Sequence, residues 1–259
     1  MNIGKEFNEE EQENINSALA RLEHNNIQFV VPRGYQNLPD SVPGSDIDIV
    51  VKPDDFENAI ETLQEIEFSK AGSPLSRVSS LGRDALENPE RSKELLLDDR
   101  ARIYHLLKNA IFKRPKDPNL AAKYNEFKVK KETVVFHLMN HLAYKSPHNQ
   151  QKIPVDPEVE KCLHMRSQIH NAIPIPSPPD EAAHLVCRGL FDYGGDFPSY
   201  YQDRCDELLE AVFADDEMEG QFKHLLSLLF FDANNIVISC LQDREYDLIR
   251  RKLIRYTGY

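Results

Sequence analysis

A strand with two aspartates on one side restricts the folds open to this chain. Residues 44–51 read Gly-Ser-Asp-Ile-Asp-Ile-Val-Val. Polar and apolar residues alternate here with a period of two, which predicts a β-strand. Asp46 and Asp48 then point the same way, with Cα atoms roughly 6.5–7 Å apart. Two ionised carboxylates this close repel unless a cation or a proton lies between them, and hard divalent cations such as Mg²⁺ prefer such oxygen ligands.

The residues before this strand suit a phosphate group. Residues 29–31 form a short apolar run that predicts a neighbouring strand, and it stops at Pro32-Arg33-Gly34. A glycine after a strand lets the backbone approach a phosphate closely. Arg33 adds a fixed charge with the planar fork geometry that matches phosphate. Gly44 and Ser45 form a second small turn directly before the carboxylates.

These residues together resemble the nucleotidyltransferase superfamily that includes DNA polymerase beta and the aminoglycoside nucleotidyltransferases. That family carries a glycine after its first strand and then an acidic-x-acidic strand, and Gly34 precedes Asp46-Ile47-Asp48 at a compatible distance. More narrowly, RGYQNLP followed by GSDIDIVV is similar to an uncharacterised bacterial and archaeal nucleotidyltransferase-like family. The resemblance is specific over residues 28–52. Tyr35 departs from it, because the superfamily usually has a second small residue there.

The resemblance implies an α+β fold, with a nucleotidyltransferase-like mixed sheet and flanking helices followed by a helical domain. It implies that Asp46 and Asp48 hold Mg²⁺ or Mn²⁺ together with a nucleoside triphosphate. The phosphates would lie against Arg33, Gly34, Gly44 and Ser45. A nucleoside monophosphate would pass to a hydroxyl of a small molecule or a protein, and pyrophosphate would be released.

The pattern around the acidic strand predicts the other elements of the first domain, which we place at residues 1–150. Asn8 can cap a helix over residues 8–23, and a strand follows at 27–31. A second helix begins at Pro53. Residues 69–88 predict a surface loop, 90–112 a helix and 113–119 a connector.

Residues 126–144 do not settle which residue would act as the third catalytic group beside Asp46 and Asp48. Their start predicts a strand, but from Thr133 the pattern fits either a buried strand or a helix capped by Thr133. The resembled family places its third catalytic carboxylate near here, and this stretch contains no Asp. Glu132 and His137 are the nearest candidates, and on a regular strand they face opposite ways. We take His137 as the third catalytic candidate, lining the cleft.

The second half predicts a helical domain over residues 151–259. The proline-rich segment at 174–179 precedes helical patterns over 180–191, 199–213, 220–231 and 236–256. Short loops between amphipathic helices favour an antiparallel bundle. Arg188, Asp192 and Tyr193 could line a cleft, but we interpret them first as surface residues in salt bridges.

Composition limits the classes of partner. The chain has 259 residues and a net charge of −12, which argues against overall attraction to nucleic acid or to an anionic membrane. Four cysteines without a C-x-x-C motif favour neither a zinc ribbon nor a disulfide framework. The start is acidic and polar, so we expect no signal peptide, and the apolar run near residue 228 is too short to span a bilayer. We therefore expect a cytoplasmic protein.

Three functions compete at this point. The first is a Mg²⁺-dependent nucleotidyltransferase. The second is a catalytically weak or inactive nucleotide-binding or regulatory protein of the same fold, and the missing third Asp is its main support. The third is an interaction module that uses the helical half as its partner surface and binds no nucleotide. Turnover separates the first two, and nucleotide binding separates both from the third.

Overall fold

The computed structural model describes residues 4–71, 119, 123–146 and 151–256. The predicted loop at 69–88 is described only at its start. The predicted helix at 90–112 and most of the connector at 113–119 lie outside the described residues.

A mixed sheet of five strands forms the centre of the fold. Its order is β2-β4-β7-β6-β5, with β4 and β7 parallel and the other neighbours antiparallel. Three further pairs, β1-β3, β8-β9 and β10-β11, form two-stranded sheets. The strands are β1 Lys5–Glu6, β2 Phe29–Val30, β3 Ser41–Val42, β4 Ile47–Val51, β5 Ser69–Lys70, β6 Glu126–Lys131, β7 Val134–Met139, β8 Ala143–Lys145, β9 Lys152–Pro154, β10 Gln168–His170 and β11 Ile173–Ile175. Strands β6, β7 and β8 cover most of residues 126–144. The residues after Thr133 therefore form a buried strand, and the alternative of a helix capped by Thr133 is wrong.

Helices cover the sheet and make up most of the second half, so the structure is α+β as predicted. They are α1 Glu9–His24, α2 Phe56–Glu65, α3 Pro157–Met165, α4 Pro178–Cys187, α5 Ser199–Phe213, α6 Asp216–Phe230, α7 Asn234–Gln242 and α8 Tyr246–Ile254. The cap of α1 is confirmed: Asn8 and Glu11 each accept a hydrogen bond from the other's backbone N–H at 2.9 Å. A single helix over 236–256 is wrong, because the chain turns between α7 and α8, where Arg244 has φ 57°.

The two faces of the sheet pack into different cores. Ile47, Ile49 and Val51 of β4 lie in a cluster with apolar residues of α1 and α2. Val50 points the other way and packs with the helices of the second half. Both clusters draw on residues before and after position 150, and the Val31 N–H donates to the Pro174 carbonyl at 2.8 Å. The predicted boundary at residue 150 stays a prediction.

The segment Asp216–Gln242 is long and apolar enough, by length and composition, to cross a membrane. The sequence-based expectation concerned only the short apolar run near residue 228, which is too short to span a bilayer. The longer segment meets the length criterion because it joins α6 and α7. A 3₁₀ turn at Phe231–Ala233 separates the two helices, and Phe231 has φ 51° there. Phe222 and Leu225 of α6 are fully buried in the core of the second half. A core helix has the same composition, and the cytoplasmic location stays a prediction.

Candidate functional site

Charged side chains gather on one face of three adjacent strands. In β4 and β7, Asp48 is paired with His137, and in β7 and β6, His137 is paired with Lys128. Glu126 lies two residues before Lys128 and so shares its face. Asp46 directly precedes β4 and reaches Lys128 across the sheet. The register of the sheet therefore brings together residues that are far apart in the sequence.

Asp48 is the most buried carboxylate of this group, with 6% of its side chain exposed. One oxygen, Oδ2, accepts a hydrogen bond from Arg33 Nη2 at 2.5 Å, and Oδ1 lies 3.0 Å from His137 Nδ1. Arg188 Nη1 lies 3.7 Å from Oδ2. Burial alone would raise the pKa of Asp48, but Arg33 and His137 outweigh it and hold the pKa well below its usual value. Asp48 is therefore ionised despite its burial.

Asp46 is also ionised. Its carboxylate accepts hydrogen bonds from the Ser45 hydroxyl and from the Lys128 ammonium. Burial and the nearby Asp48 raise the pKa of Asp46, and the Lys128 and Ser45 hydrogen bonds lower it by more. Each aspartate thus already lies against a cationic side chain of the protein.

His137 lies between two carboxylates, which favours its cationic form. Its Nδ1 faces Asp48 at 3.0 Å and its Nε2 faces Glu126 at 3.1 Å. Because ionised carboxylates only accept, both ring nitrogens donate, which is the imidazolium form. Burial lowers the pKa of His137, but the two carboxylates raise it above the usual value. In return, the hydrogen bonds from His137 and Tyr124 lower the pKa of Glu126 to about 2.

Arg188 comes from the second half and is a central residue of the site. It begins a π-helical turn, Arg188–Asp192, that follows α4. Its Nε donates to the Tyr201 hydroxyl at 2.9 Å, and its Nη1 lies between Asp48 and Asp192. Asp192 in turn accepts from the Lys145 backbone N–H at 2.9 Å. The interpretation of Arg188 and Asp192 as surface residues is wrong, because their side chains are 15% and 6% exposed. π-Helical turns of this kind are frequent at functional sites.

The turn after β2 is fixed by backbone geometry and by a link to the second half. Gly34 has φ +67°, and a Cβ there would lie 2.9 Å from Pro43 Cδ, so a side chain would meet both strain and a clash. Tyr35 packs as a structural residue, 4% exposed, and donates to Glu181 Oε2 at 2.6 Å. Gly44 is exposed and has open space where a Cβ would lie, so nothing in its surroundings requires glycine.

The structure brings together most of the predicted site residues. Asp48 contacts both Arg33 and His137, and it lies close enough to Asp46 to affect the pKa of that carboxyl. Ser45 joins the group through its hydrogen bond to Asp46. Glu132 lies elsewhere: it occupies the β6–β7 turn with φ 53° and is exposed near Glu10. Sequence reasoning missed Glu126, and it gave Arg188 only as the less favoured of two alternatives. The period-two pattern of residues 126–131 would have placed Glu126 beside Lys128 on one face, but the pairing with β7 was needed to show that this face meets Asp48.

Two aspartates fit the donor chemistry of Mg²⁺ or Mn²⁺. Mg²⁺ is usually held by one or two carboxylates, with water and phosphate completing its coordination. Asp46 and Asp48 are ionised and two residues apart, so they offer two carboxylates of this kind. The described part of the chain holds no group of three His, Cys, Asp or Glu side chains placed to bind a metal. Glu126 is separated from Asp48 by the His137 ring, so the site offers two carboxylates.

Comparison of this chain with protein-family models, with curated proteins and with solved structures gave no match.

Proposed function

We propose that this chain is a nucleotidyltransferase that transfers a nucleoside monophosphate from a nucleoside triphosphate to a hydroxyl of a small molecule or a protein. The observation that carries the proposal is the pair of ionised aspartates, Asp46 directly before β4 and Asp48 within it, on a strand that is parallel to β7 and follows the Gly34 turn. The two aspartates of the sequence motif thus lie beside the cationic side chains of Arg33, Lys128 and Arg188.

Asp46 and Asp48 would hold Mg²⁺ or Mn²⁺, which when bound neutralises charge on the triphosphate and on the leaving pyrophosphate. Arg33 and Arg188 supply further positive charge from the two halves of the chain. Both guanidiniums stay charged, since Asp48 raises their pKa values against the opposing effect of burial. Planar guanidinium groups match phosphate oxygens bidentately.

Catalysis on this scheme depends on positioning and charge. The acceptor oxygen forms a bond to the α-phosphorus, the bond from that phosphorus to the bridging oxygen breaks so that pyrophosphate leaves, and the hydroxyl proton passes to solvent water. Both ring nitrogens of His137 face carboxylates, so His137 would orient Asp48 and keep it ionised rather than take up the hydroxyl proton. Lys128 holds Asp46 in the same way.

A nucleotide-binding protein without turnover is the second candidate, and one observation favours it. Each aspartate is engaged by a cationic side chain, Lys128 on Asp46 and Arg33 on Asp48, and Glu126 is held behind His137. A cation that binds here competes with these contacts. Binding of nucleotide would survive in such a protein, and transfer would be slow or absent.

Calorimetric titration of Mg²⁺ with ATP, CTP, GTP and UTP tests the binding site. We expect the wild type to bind at least one of them only when the metal is present, and the double variant Asp46→Asn with Asp48→Asn to lose that binding. Asp203→Asn, an exposed residue of α5, is the matched control and should bind as the wild type does. Equal binding in all three proteins would contradict the proposal.

Pyrophosphate release then separates the two candidates. A panel of hydroxyl-bearing acceptors is incubated with the bound nucleotide and the metal. Release that depends on an acceptor and disappears in the double variant supports the enzyme. Binding without release across the panel favours the protein without turnover.

A further inference from the structure

A pocket of about 360 Å³ lies between the turn at residues 33–43 and helices α4 and α5. This volume is within the range of small-molecule sites. The pocket is formed by both halves of the chain: Gln36, Asn37 and Ser41 come from the first half, and Tyr200 and Arg204 from α5. None of these five residues was among the site residues that the sequence predicted.

One wall of the pocket is held rigid by a buried hydrogen-bond network. Glu181 is 1% exposed and receives Arg204 bidentately, from Nε at 3.0 Å and Nη2 at 2.8 Å. Tyr35 donates to the same carboxylate at 2.6 Å, and Gln36 Nε2 donates to it at 3.1 Å. Every oxygen of Glu181 is therefore satisfied, and its charge is balanced by Arg204. A wall fixed in this way is preorganised for a ligand.

The pocket adjoins the aspartate site through two of its lining residues. Arg33 lines the pocket and donates to Asp48 Oδ2 at 2.5 Å. Tyr201 lines the pocket and accepts a hydrogen bond from Arg188, which lies 3.7 Å from the same Asp48 oxygen. Within the described residues, Arg33 Nε is buried without an acceptor. A ligand with a phosphoryl group at the arginines would thus extend its remaining part into the pocket.

The chemistry of the lining selects an uncharged part of a ligand. Away from Arg33, the charged residues of the described lining are Arg204 and Glu181, which pair with each other, so this part of the pocket offers no unpaired cation to a second phosphate. Amides from Gln36 and Asn37 and the Ser41 hydroxyl offer hydrogen bonds to hydroxyl groups. Tyr200 adds an aromatic ring with two apolar faces.

We infer that this pocket receives a neutral, hydroxyl-bearing sugar ring attached to the phosphorylated ligand. The inference rests on the proposed function for the place of the phosphoryl group. The sugar has two possible sources, the ribose of the nucleotide and a sugar acceptor. Both present the same hydroxyl groups to the amides and to Tyr200.

Two variants of the pocket and one control test this inference. Asn37→Trp fills the pocket from an exposed position, and Tyr200→Ala removes its aromatic wall; both leave the Glu181 network and the aspartates intact. Asp203→Ala, exposed on α5 and not part of the lining, is the control. Circular dichroism and thermal unfolding establish that each variant is folded.

Binding is compared for four nucleoside triphosphates, for tripolyphosphate and for a panel of hexose and pentose phosphates, all with Mg²⁺. If the ribose occupies the pocket, both variants weaken nucleotide binding by about fivefold or more and leave tripolyphosphate binding unchanged. If an acceptor occupies it, nucleotide and tripolyphosphate binding stay at the wild-type level, and the variants weaken binding of a sugar phosphate. The control changes neither.

The inference is overturned if neither set of ligands responds to Asn37→Trp or Tyr200→Ala. In that case Asp46→Asn with Asp48→Asn still decides the proposed function. Loss of tripolyphosphate binding in the double variant would leave the nucleotidyltransferase in place without this pocket. Tripolyphosphate binding that is unchanged in the double variant would remove the proposed function itself.

Discussion

The two faces of strand β4 differ in what they bury, although their residues are neighbours in the sequence. Ile47, Ile49 and Val51 face α1 and α2 and are at most 2% exposed, so this face is stabilised by apolar burial. The opposite face carries Asp48, with Asp46 directly before the strand, and becomes apolar only at Val50. Charge can be buried there because each carboxylate has cationic or hydrogen-bonding partners. Apolar burial on the first face stabilises the fold, and the partners on the second face fix the positions of the two carboxylates.

Truncation on the apolar face should have the largest effect on stability. Phe136 is fully buried in the same cluster as Ile49 and packs at a tilt against Phe68, 5.4 Å between ring centroids. Phe136→Ala leaves a cavity and should lower the free energy of unfolding by about 3–5 kcal/mol. Urea unfolding measures the change. Ile254→Ala, at a side chain that is 72% exposed, is the control and should stay within about 0.5 kcal/mol of the wild type.

The link between the Gly34 turn and the second half should have an intermediate effect. Tyr35→Phe keeps the ring and removes two hydrogen bonds, the one that Tyr35 donates to the buried Glu181 carboxylate and the one that it accepts from Arg204. A hydrogen bond to a charged group contributes about 1.5–3 kcal/mol, so we expect a loss of this size in urea unfolding. An unchanged free energy of unfolding would show that Arg204 and Gln36 satisfy Glu181 without Tyr35.

The arginine from the second half should affect ligand binding more than the fold. Arg188→Ala removes a cation 3.7 Å from Asp48, and we expect the affinity for Mg²⁺-nucleotide to fall about tenfold. Titration calorimetry measures the affinity. Arg166→Ala is the control, because Arg166 likewise pairs with a buried carboxylate, Asp180 at 2.7 Å, and is not among the residues of the site. It should leave the affinity unchanged, and an equal loss in both variants would contradict a specific role for Arg188.

The smallest effect should appear as a pH dependence of stability. The pKa of folded His137 lies above 6.5, so its protonation stabilises the fold fully below pH 6.5 and this stabilisation is lost as the pH rises through the folded pKa. Asp48 and Glu126 stay ionised over this range, since the pKa of Glu126 is about 2 and that of Asp48 is well below its usual value. The stability difference between wild type and His137→Gln should therefore shrink with rising pH in urea unfolding. A difference that is constant above pH 6.5 would rule out the imidazolium form.

Local patterns predicted the parts of the fold that depend on neighbouring residues. The alternation over residues 44–51 predicted β4, and Asn8 with its acidic neighbours predicted the start of α1. The bounds of α5 were predicted correctly from apolar spacing. The turn between α7 and α8 was not predicted, because neither glycine nor proline marks it and Arg244 adopts a left-handed conformation instead.

The candidate site was predictable only as far as one strand and the turn before it. Asp46 and Asp48 are two residues apart, so strand periodicity alone places them on one side. Glu126 joins them through the register of β6 on β7, which no local pattern contains. Arg188 joins them through a π-helical turn in the other half of the chain, a deviation from regular helix that apolar spacing does not reveal. Long-range geometry thus supplies the residues that surround the motif.

The contacts between Tyr35 and Glu181 join positions that are 146 residues apart in the sequence. Glu181 also holds Arg204, so loss of this one carboxylate would leave a phenol and a guanidinium without their shared acceptor. We therefore expect a change at one of these three positions to be tolerated best when the other two change with it. Among descendants of a common ancestor, we expect the three residues to be kept or replaced as a set, and the helical half to be inherited together with its own aspartate strand rather than exchanged for another.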